Sequence, residues 1–224
     1  MVSQDVTGGQ MRTVVFDLDG TLADTSGDLL AAANACFGQG AVLGPADALT
    51  AFQGGRAMLR LGFQRLGRGD EAEVDRQYPA LLAAYLKDID RETKVYPGAM
   101  AAVQGLRQAG FRTAICTNKP ILHAEVLLER LGVRALFDAV VGADTLPVRK
   151  PDPAPYRLAV ERAGGGRSLL VGDTVTDRDT ARAAGVPVIL VSFGPEGRGV
   201  QRLDPDAVLD DYADLPALAE RLLS

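Results

Sequence analysis

Residues 14–25 read VVFDLDGTLADT, an apolar run that ends on two aspartates two positions apart. Val14, Val15 and Phe16 have the β-branched and aromatic character of a buried strand, and Gly20 supplies a bend just after the second acid. Packing gives no reason to set Asp17 and Asp19 side by side at the end of a core strand, because like charges at that range repel. Two readings meet here. One is a solvated strand-to-loop turn; the other is a site where a cation lies between carboxylates.

Downstream, strand-like and helix-like patterns alternate. RTAICTN (112–118), AVVGAD (139–144), SLLVGD (168–173) and VPVILVS (186–192) read as strands. ILHAEVLLERLG, closed by Gly132, PAPYRLAVERAG and RDTARAAG read as the helices between them. The tail runs from a short AVLDD strand into the helix LPALAERLL, with Asp214 as the expected N-cap. Such alternation predicts an α/β fold: a Rossmann-like parallel sheet with helices on both faces. Between Asp24 and Arg91 the alternation stops, and LLAAANACF, AMLRLGFQRL and YPALLAAYL carry helical stripes. The predicted organisation is therefore a core of residues 11–23 and 93–224, interrupted by a helical cap domain over 24–92. KVYPG (94–98) is the expected return connection, and the polar first ten residues are set aside as a leader or an expression remnant.

Composition removes several function classes. The 224 residues are 47% hydrophobic and 24% charged, as in an ordinary globular protein. A net charge of −5 argues against a nucleic-acid partner, and no apolar run reaches the length of a membrane span. With no targeting signal in view, a cytoplasmic location is the default expectation. Cys36 and Cys116 form no CxxC pair, and His123 is the single histidine. A histidine-based zinc site or a Ser-His-Asp triad thus has almost nothing to be built from. His123 itself is expected on an exposed helix face, and any acid–base chemistry falls to carboxylates or lysines.

Ligands of open parallel sheets bind beyond the carboxyl ends of the strands. Here those ends carry Asp17, Asp19 and Thr21, then Thr117, Asn118 and Lys119, then Lys150 between Arg149 and Pro151, then Asp173 with Asp177 one turn on. Only four lysines stand against twenty arginines (24 − 4), and two of the four, Lys119 and Lys150, fall in these loops. An ammonium suits a phosphoryl oxygen without demanding planar geometry. Each residue alone has a plainer reading: Thr117 and Asn118 as helix caps, Lys150 as a solvated loop residue, Asp173 as an acid at a helix N-terminus. Their convergence favours a site.

D-x-D-G-T after the first strand, Thr-Asn after the second, Lys-Pro-x-Pro, then G-D-x-x-x-D: in this order the motifs resemble the haloacid dehalogenase-like phosphatases over nearly the whole chain. The helical insert, AFQGGRAMLRLGF, TNKP and KPDP resemble the phosphoglycolate phosphatase subgroup. The resemblance implies a phosphatase that hydrolyses a small phosphorylated metabolite through an aspartyl-phosphate. Asp17 would be the nucleophile and Asp19 the general acid and base. Mg²⁺ would be held by Asp17, the backbone carbonyl of Asp19 and Asp173. Thr117 and Lys150 would bind phosphoryl oxygens, helped by backbone N–H groups near Leu18 and Asn118. Asp177 would order metal-bound water or pair with Lys150.

The Gly54-Gly55-Arg56 turn is where the cap is expected to face the site, with Arg56 as partner for an anionic leaving group. Its plainer reading is a surface arginine. Lys119 is expected to border the phosphate site, Gly20 and Thr21 to shape the loop, and Arg65 and Arg68 to face solvent. A dehalogenase needs no Asp19, and a phosphonate hydrolase needs a cap lysine that the insert offers only near its end, at Lys87 or Lys94. A sugar-phosphate mutase is the enzymatic alternative, and a non-catalytic binding protein the alternative from another class. Monomer and homodimer are equally open.

Overall fold

The structure is a computed structural model that describes residues 11–38 and 40–224, so the polar first ten residues lie outside the described residues. In chain order the elements are β1 (Arg12–Phe16), β2 (Ala23–Asp24), α1 (Ser26–Ala35), α2 (Ala48–Phe52), α3 (Gly55–Arg65), α4 (Glu71–Lys87) and β3 (Lys94–Val95). They continue with α5 (Ala99–Gln108), β4 (Arg112–Cys116), α6 (Ile121–Arg130), β5 (Ala139–Val141), α7 (Pro153–Arg162) and β6 (Arg167–Gly172). The last are α8 (Val175–Ala184), β7 (Val188–Val191), β8 (Ala207–Leu209) and α9 (Leu215–Leu223). Every strand predicted from the apolar runs is present. Helix α5 is the one core helix that the sequence pattern does not single out.

Six strands form one parallel sheet in the order β5-β4-β1-β6-β7-β8. Alternation along β1 explains why helices cover both faces. Val14 and Phe16 point into a cluster with Val103 and Leu106 of α5, Leu127 of α6 and Leu215 of α9. Val15 points the other way, to Tyr156 and Ala159 of α7 and Ala181 of α8. The first strand in sequence is thus a central strand in space. The strand order reverses direction on either side of it, which is where open α/β sheets place a ligand crevice.

Between Asp24 and Lys94 the described residues contain helices and turns but no strand. The two ends of this segment meet in a short antiparallel ribbon, Ala23 opposite Val95 and Asp24 opposite Lys94. Asp28 of α1 is buried and ties the junction together, its carboxylate accepting from the Glu92 and Thr93 N–H groups and the Thr93 hydroxyl. Within the segment, Phe37 and Phe63 meet edge to face at 5.2 Å. Arg65 and Arg68 are exposed, as expected. At the C-terminus, Asp214 occupies the N-cap position of α9 without a side-chain capping bond. Asp211 accepts from Ala213 N–H instead, because a short 3-10 turn over Tyr212–Asp214 leads into the helix.

Candidate active site

The register between strands builds the site. Phe16 lies level with Ile115 on one side and Val171 on the other, so β4, β1 and β6 end together. One or two residues on, Asp17, Thr117 and Asp173 stand at adjacent strand ends. Backbone bonds from Asp17 N–H to Val171 O (2.9 Å) and Thr117 N–H to Val141 O (3.0 Å) fix two of these positions.

Around Asp17 the charges interlock. Lys150 Nζ lies 3.1 Å from Asp17 Oδ1 and 2.6 Å from Asp177 Oδ1, and both Lys150 and Asp177 are buried. Asp177 Oδ2 accepts from the N–H groups of Asp173 and Thr174 and from the Thr174 hydroxyl, forming the capping box of α8. Both oxygens of Asp177 are therefore engaged, and the expected pairing with Lys150 is present. Asp173 differs. Its Oδ1 accepts from the Thr21 hydroxyl at 2.8 Å, but its Oδ2 is buried with no partner. Burial pushes the Asp173 carboxyl well above the usual range, and Asp177 and Asp17 push in the same direction. Burial likewise raises Asp17, to about 6, against the opposing pull of Lys150. Burial alone would lower the Lys150 ammonium, but Asp17 and Asp177 outweigh it and hold it protonated.

The loop after β1 is shaped for close approach. Leu22 N–H bonds back to Leu18 O, and Gly20 N–H to Ala23 O. Gly20 has φ +80°, and a Cβ there would stand 2.5 Å from Asp173 Oδ2. Leu18 N–H donates to Asp17 Oδ1 at 2.8 Å, so this predicted phosphoryl donor is occupied by the carboxylate itself.

Asp19 lies on the other side of the loop. Its Oδ1 accepts from Thr25 Oγ1 at 2.6 Å and pairs with Lys119 Nζ at 2.8 Å. Lys119 is buried and reaches across to the insert, donating to the Tyr85 hydroxyl of α4 at 2.9 Å. Thr117 Oγ1 accepts from Lys119 N–H, which leaves the threonine proton free to donate. Asn118 is exposed and its side-chain amide holds Lys150 O. Neither Thr117 nor Asn118 caps α6, whose N-cap is Pro120.

These groups open into a cavity of about 260 Å³, walled by the strand-end loops and, from the insert, by Phe52, Gly54, Gly55, Tyr78, Leu81 and Tyr85. Two expectations change here. Arg56 does not line the cavity: it pairs with Asp75 on the outer surface and lies over the Tyr78 ring, because α4 offers it a carboxylate nineteen residues on. His123 is buried rather than exposed. Its ring stacks on Tyr85 and its Nε2 meets Leu82 O at 2.9 Å, since α4 covers that face of α6.

A family model described as haloacid dehalogenase-like hydrolase matches residues 11–185. The chain belongs to the haloacid dehalogenase-like hydrolases. This hydrolase is 41% identical over 218 residues to a phosphoglycolate phosphatase of Agrobacterium fabrum, covering 94% of this chain and 93% of the relative. It is 40% identical over 224 residues to a phosphoglycolate phosphatase of Mesorhizobium japonicum, covering 94% and 96%. A crystal structure described as a predicted phosphoglycolate phosphatase from Haemophilus somnus superposes with a TM-score of 0.78 at 25% identity, covering 94% and 99%.

The hydrolase's acid cluster fits a hard divalent cation. Carboxylate oxygens of Asp17, Asp173 and Asp177 lie within 4.8 Å of one another. The unpartnered, buried Asp173 Oδ2 has the geometry of a ligand, and an all-oxygen donor set suits Mg²⁺. Tyr85, Thr25 and His123 were beyond reach of motif reading. Tyr85 sits in an ordinary apolar helix stripe, and only the packing of the insert brings its hydroxyl to a strand-end lysine.

Proposed function

We propose that this hydrolase is a Mg²⁺-dependent phosphatase of small phosphomonoesters, with 2-phosphoglycolate as the first candidate, acting through an aspartyl-phosphate. The observation that carries the reading is the setting of Asp17: one oxygen beside Lys150, a neighbouring orphaned carboxylate oxygen on Asp173, and a small cavity above. At about 260 Å³ that cavity falls just below the usual range of ligand sites, roughly 300–1,000 Å³, as suits a small ester. The relatives named phosphoglycolate phosphatase, about 40% identical over nearly the full length, support the substrate class.

In this reading a carboxylate oxygen of Asp17 attacks phosphorus as the ester P–O bond breaks. Asp19 gives its proton to the departing alkoxide, then takes one from the water that attacks phosphorus and frees Asp17. Lys150 and the Thr117 hydroxyl stabilise the equatorial oxygens, where charge spreads in phosphoryl transfer. Asp177 acts through Lys150, fixing the ammonium beside Asp17. Mg²⁺, held by Asp17, Asp173 and the Asp19 carbonyl, would neutralise the repulsion between a carboxylate and a phosphate dianion. Helices α1–α4 would serve as a cap domain over residues 24–92 that excludes water from the strand ends.

The test is phosphate release from a panel of small phosphomonoesters with Mg²⁺, with EDTA, and with Asp17→Asn. Metal-dependent turnover that disappears in Asp17→Asn is expected. A folded protein that releases no phosphate from any ester would remove the phosphatase reading. Transfer between sugar hydroxyls without release would point to a mutase.

A further inference from the structure

We propose that Lys119, rather than Arg56, recognises an anionic group on the leaving alcohol, and so sets a preference for carboxylate-bearing phosphomonoesters; this rests on the phosphatase reading above. Lys119 Nζ is 2.8 Å from Asp19 Oδ1. If Asp19 protonates the departing oxygen, a group bonded to Asp19 lies on the leaving-group side of the cavity. In a short ester such as 2-phosphoglycolate, the carboxylate carbon is two bonds from that oxygen. It therefore falls within reach of the same ammonium.

The donor count permits this contact. An ammonium carries three protons. Asp19 and Tyr85 take two, and Lys119 is among the residues that line the cavity. The other cation of the cavity wall, Lys150, is held between Asp17 and Asp177, while Arg56 is turned outward to Asp75. The insert lines the same cavity with Leu81 and Leu82, apolar side chains against which an unpaired carboxylate would be poorly tolerated.

Lys119 is also held in advance of binding. The ammonium lies 4.4 Å from the centroid of the Tyr85 ring, and that ring stacks on His123. His123 in turn bonds the backbone of α4 at Leu82. A core lysine clamped by an insert tyrosine makes the recognition site depend on the insert being seated, so selectivity and closure share one contact.

The experiment compares 2-phosphoglycolate with 2-hydroxyethyl phosphate, an ester of similar size with a neutral leaving alcohol, in the wild type, Lys119→Met and Lys119→Arg. The wild type should prefer 2-phosphoglycolate. In Lys119→Met, kcat/KM for that ester should fall roughly 10- to 150-fold, mainly through KM, as expected for losing a charge-assisted bond. The neutral ester should fall less, since it loses only what the ammonium supplies to Asp19, so the preference between the two esters should shrink by about tenfold or more. Lys119→Arg should recover part of the preference. Equal losses on both esters, carried by kcat, would overturn the proposal and make the lysine a positioning residue for Asp19. Unchanged selectivity would overturn it as well.

Should Lys119→Met not fold, product inhibition of the wild type decides. Glycolate must compete against 2-hydroxyethyl phosphate more strongly than ethylene glycol does; equal inhibition sinks the proposal. Turnover of the neutral ester without any carboxylate preference leaves the phosphatase reading standing and removes only this inference. No turnover of either ester, or of any in the wider panel, removes both.

Discussion

Gly20 shows how little room the site has. Its φ of +80° is open to glycine, and any Cβ would stand 2.5 Å from Asp173 Oδ2. Gly20→Ala should therefore cost about 1–3 kcal/mol of stability and also displace the Asp173 carboxylate proposed to hold the metal. Thermal unfolding with and without Mg²⁺ checks both parts, and the Mg²⁺-induced rise in Tm should shrink in the variant. Lys150 makes a complementary case. Removing it as Lys150→Met abandons a fully buried Asp177, which typically costs about 3–5 kcal/mol. Adding Asp177→Asn, which removes the buried charge but keeps an acceptor for the cap of α8, should recover stability in urea unfolding but not phosphate release. If the double variant is no more stable than the single, charge compensation is not what holds this pair. The residues in these arguments are the ones most legible in the sequence. Asp17, Thr117, Lys150 and Asp173 each follow a strand within a residue or sit in a connecting loop, and a parallel sheet brings such ends together whatever the helices do.

Elements of the insert behave differently, because what they contribute depends on long-range packing. The periodic apolar stripes place α1, α3 and α4 correctly as helices, yet periodicity says nothing about which helix faces the site. Gly54 and Gly55 do reach the cavity, but Arg56 beside them is captured by Asp75 of α4. Tyr85 reads as one more apolar position, and His123 as a polar residue on a helix surface. Both acquire their roles only when α4 settles against α6. The tightest approach within the insert is at Gly62 of α3, where an added Cβ would fall 2.0 Å from the Phe37 ring. Gly62→Ala should overpack this contact and cost about 1–3 kcal/mol in chemical denaturation. Combining it with Phe37→Leu should relieve much of that loss. Additive losses in the double variant would mean that the two positions do not share a constraint.

At the scale of the molecule, the acid cluster should couple stability to pH and, if it holds the proposed cation, to metal. Without a cation, burial holds the Asp17 pKa at about 6 and Asp173 well above the ordinary carboxylate value. The native state then keeps protons that the unfolded chain releases once the pH passes about 4. Stability contributed by these groups must therefore fall as pH rises from about 4 through about 6 and beyond, and for Asp17 alone the effect is about 3 kcal/mol. Asp47 works in the opposite sense. Its hydrogen bonds from Arg65 lower its pKa, so its contribution is present above the unfolded value and is lost only as the solution becomes more acidic. The two windows do not overlap, which makes the first observable. A divalent cation that binds the ionised carboxylates should reverse the loss, more strongly at higher pH, where no proton has to be displaced from them. Thermal unfolding in EDTA is expected to give a lower Tm at about pH 7.5 than at about pH 5, with Mg²⁺ raising Tm more at the higher pH. Asp173→Asn should flatten the pH dependence in EDTA and remove most of the response to Mg²⁺. An equal response to Mg²⁺ at both pH values would mean that the ion binds elsewhere than this cluster.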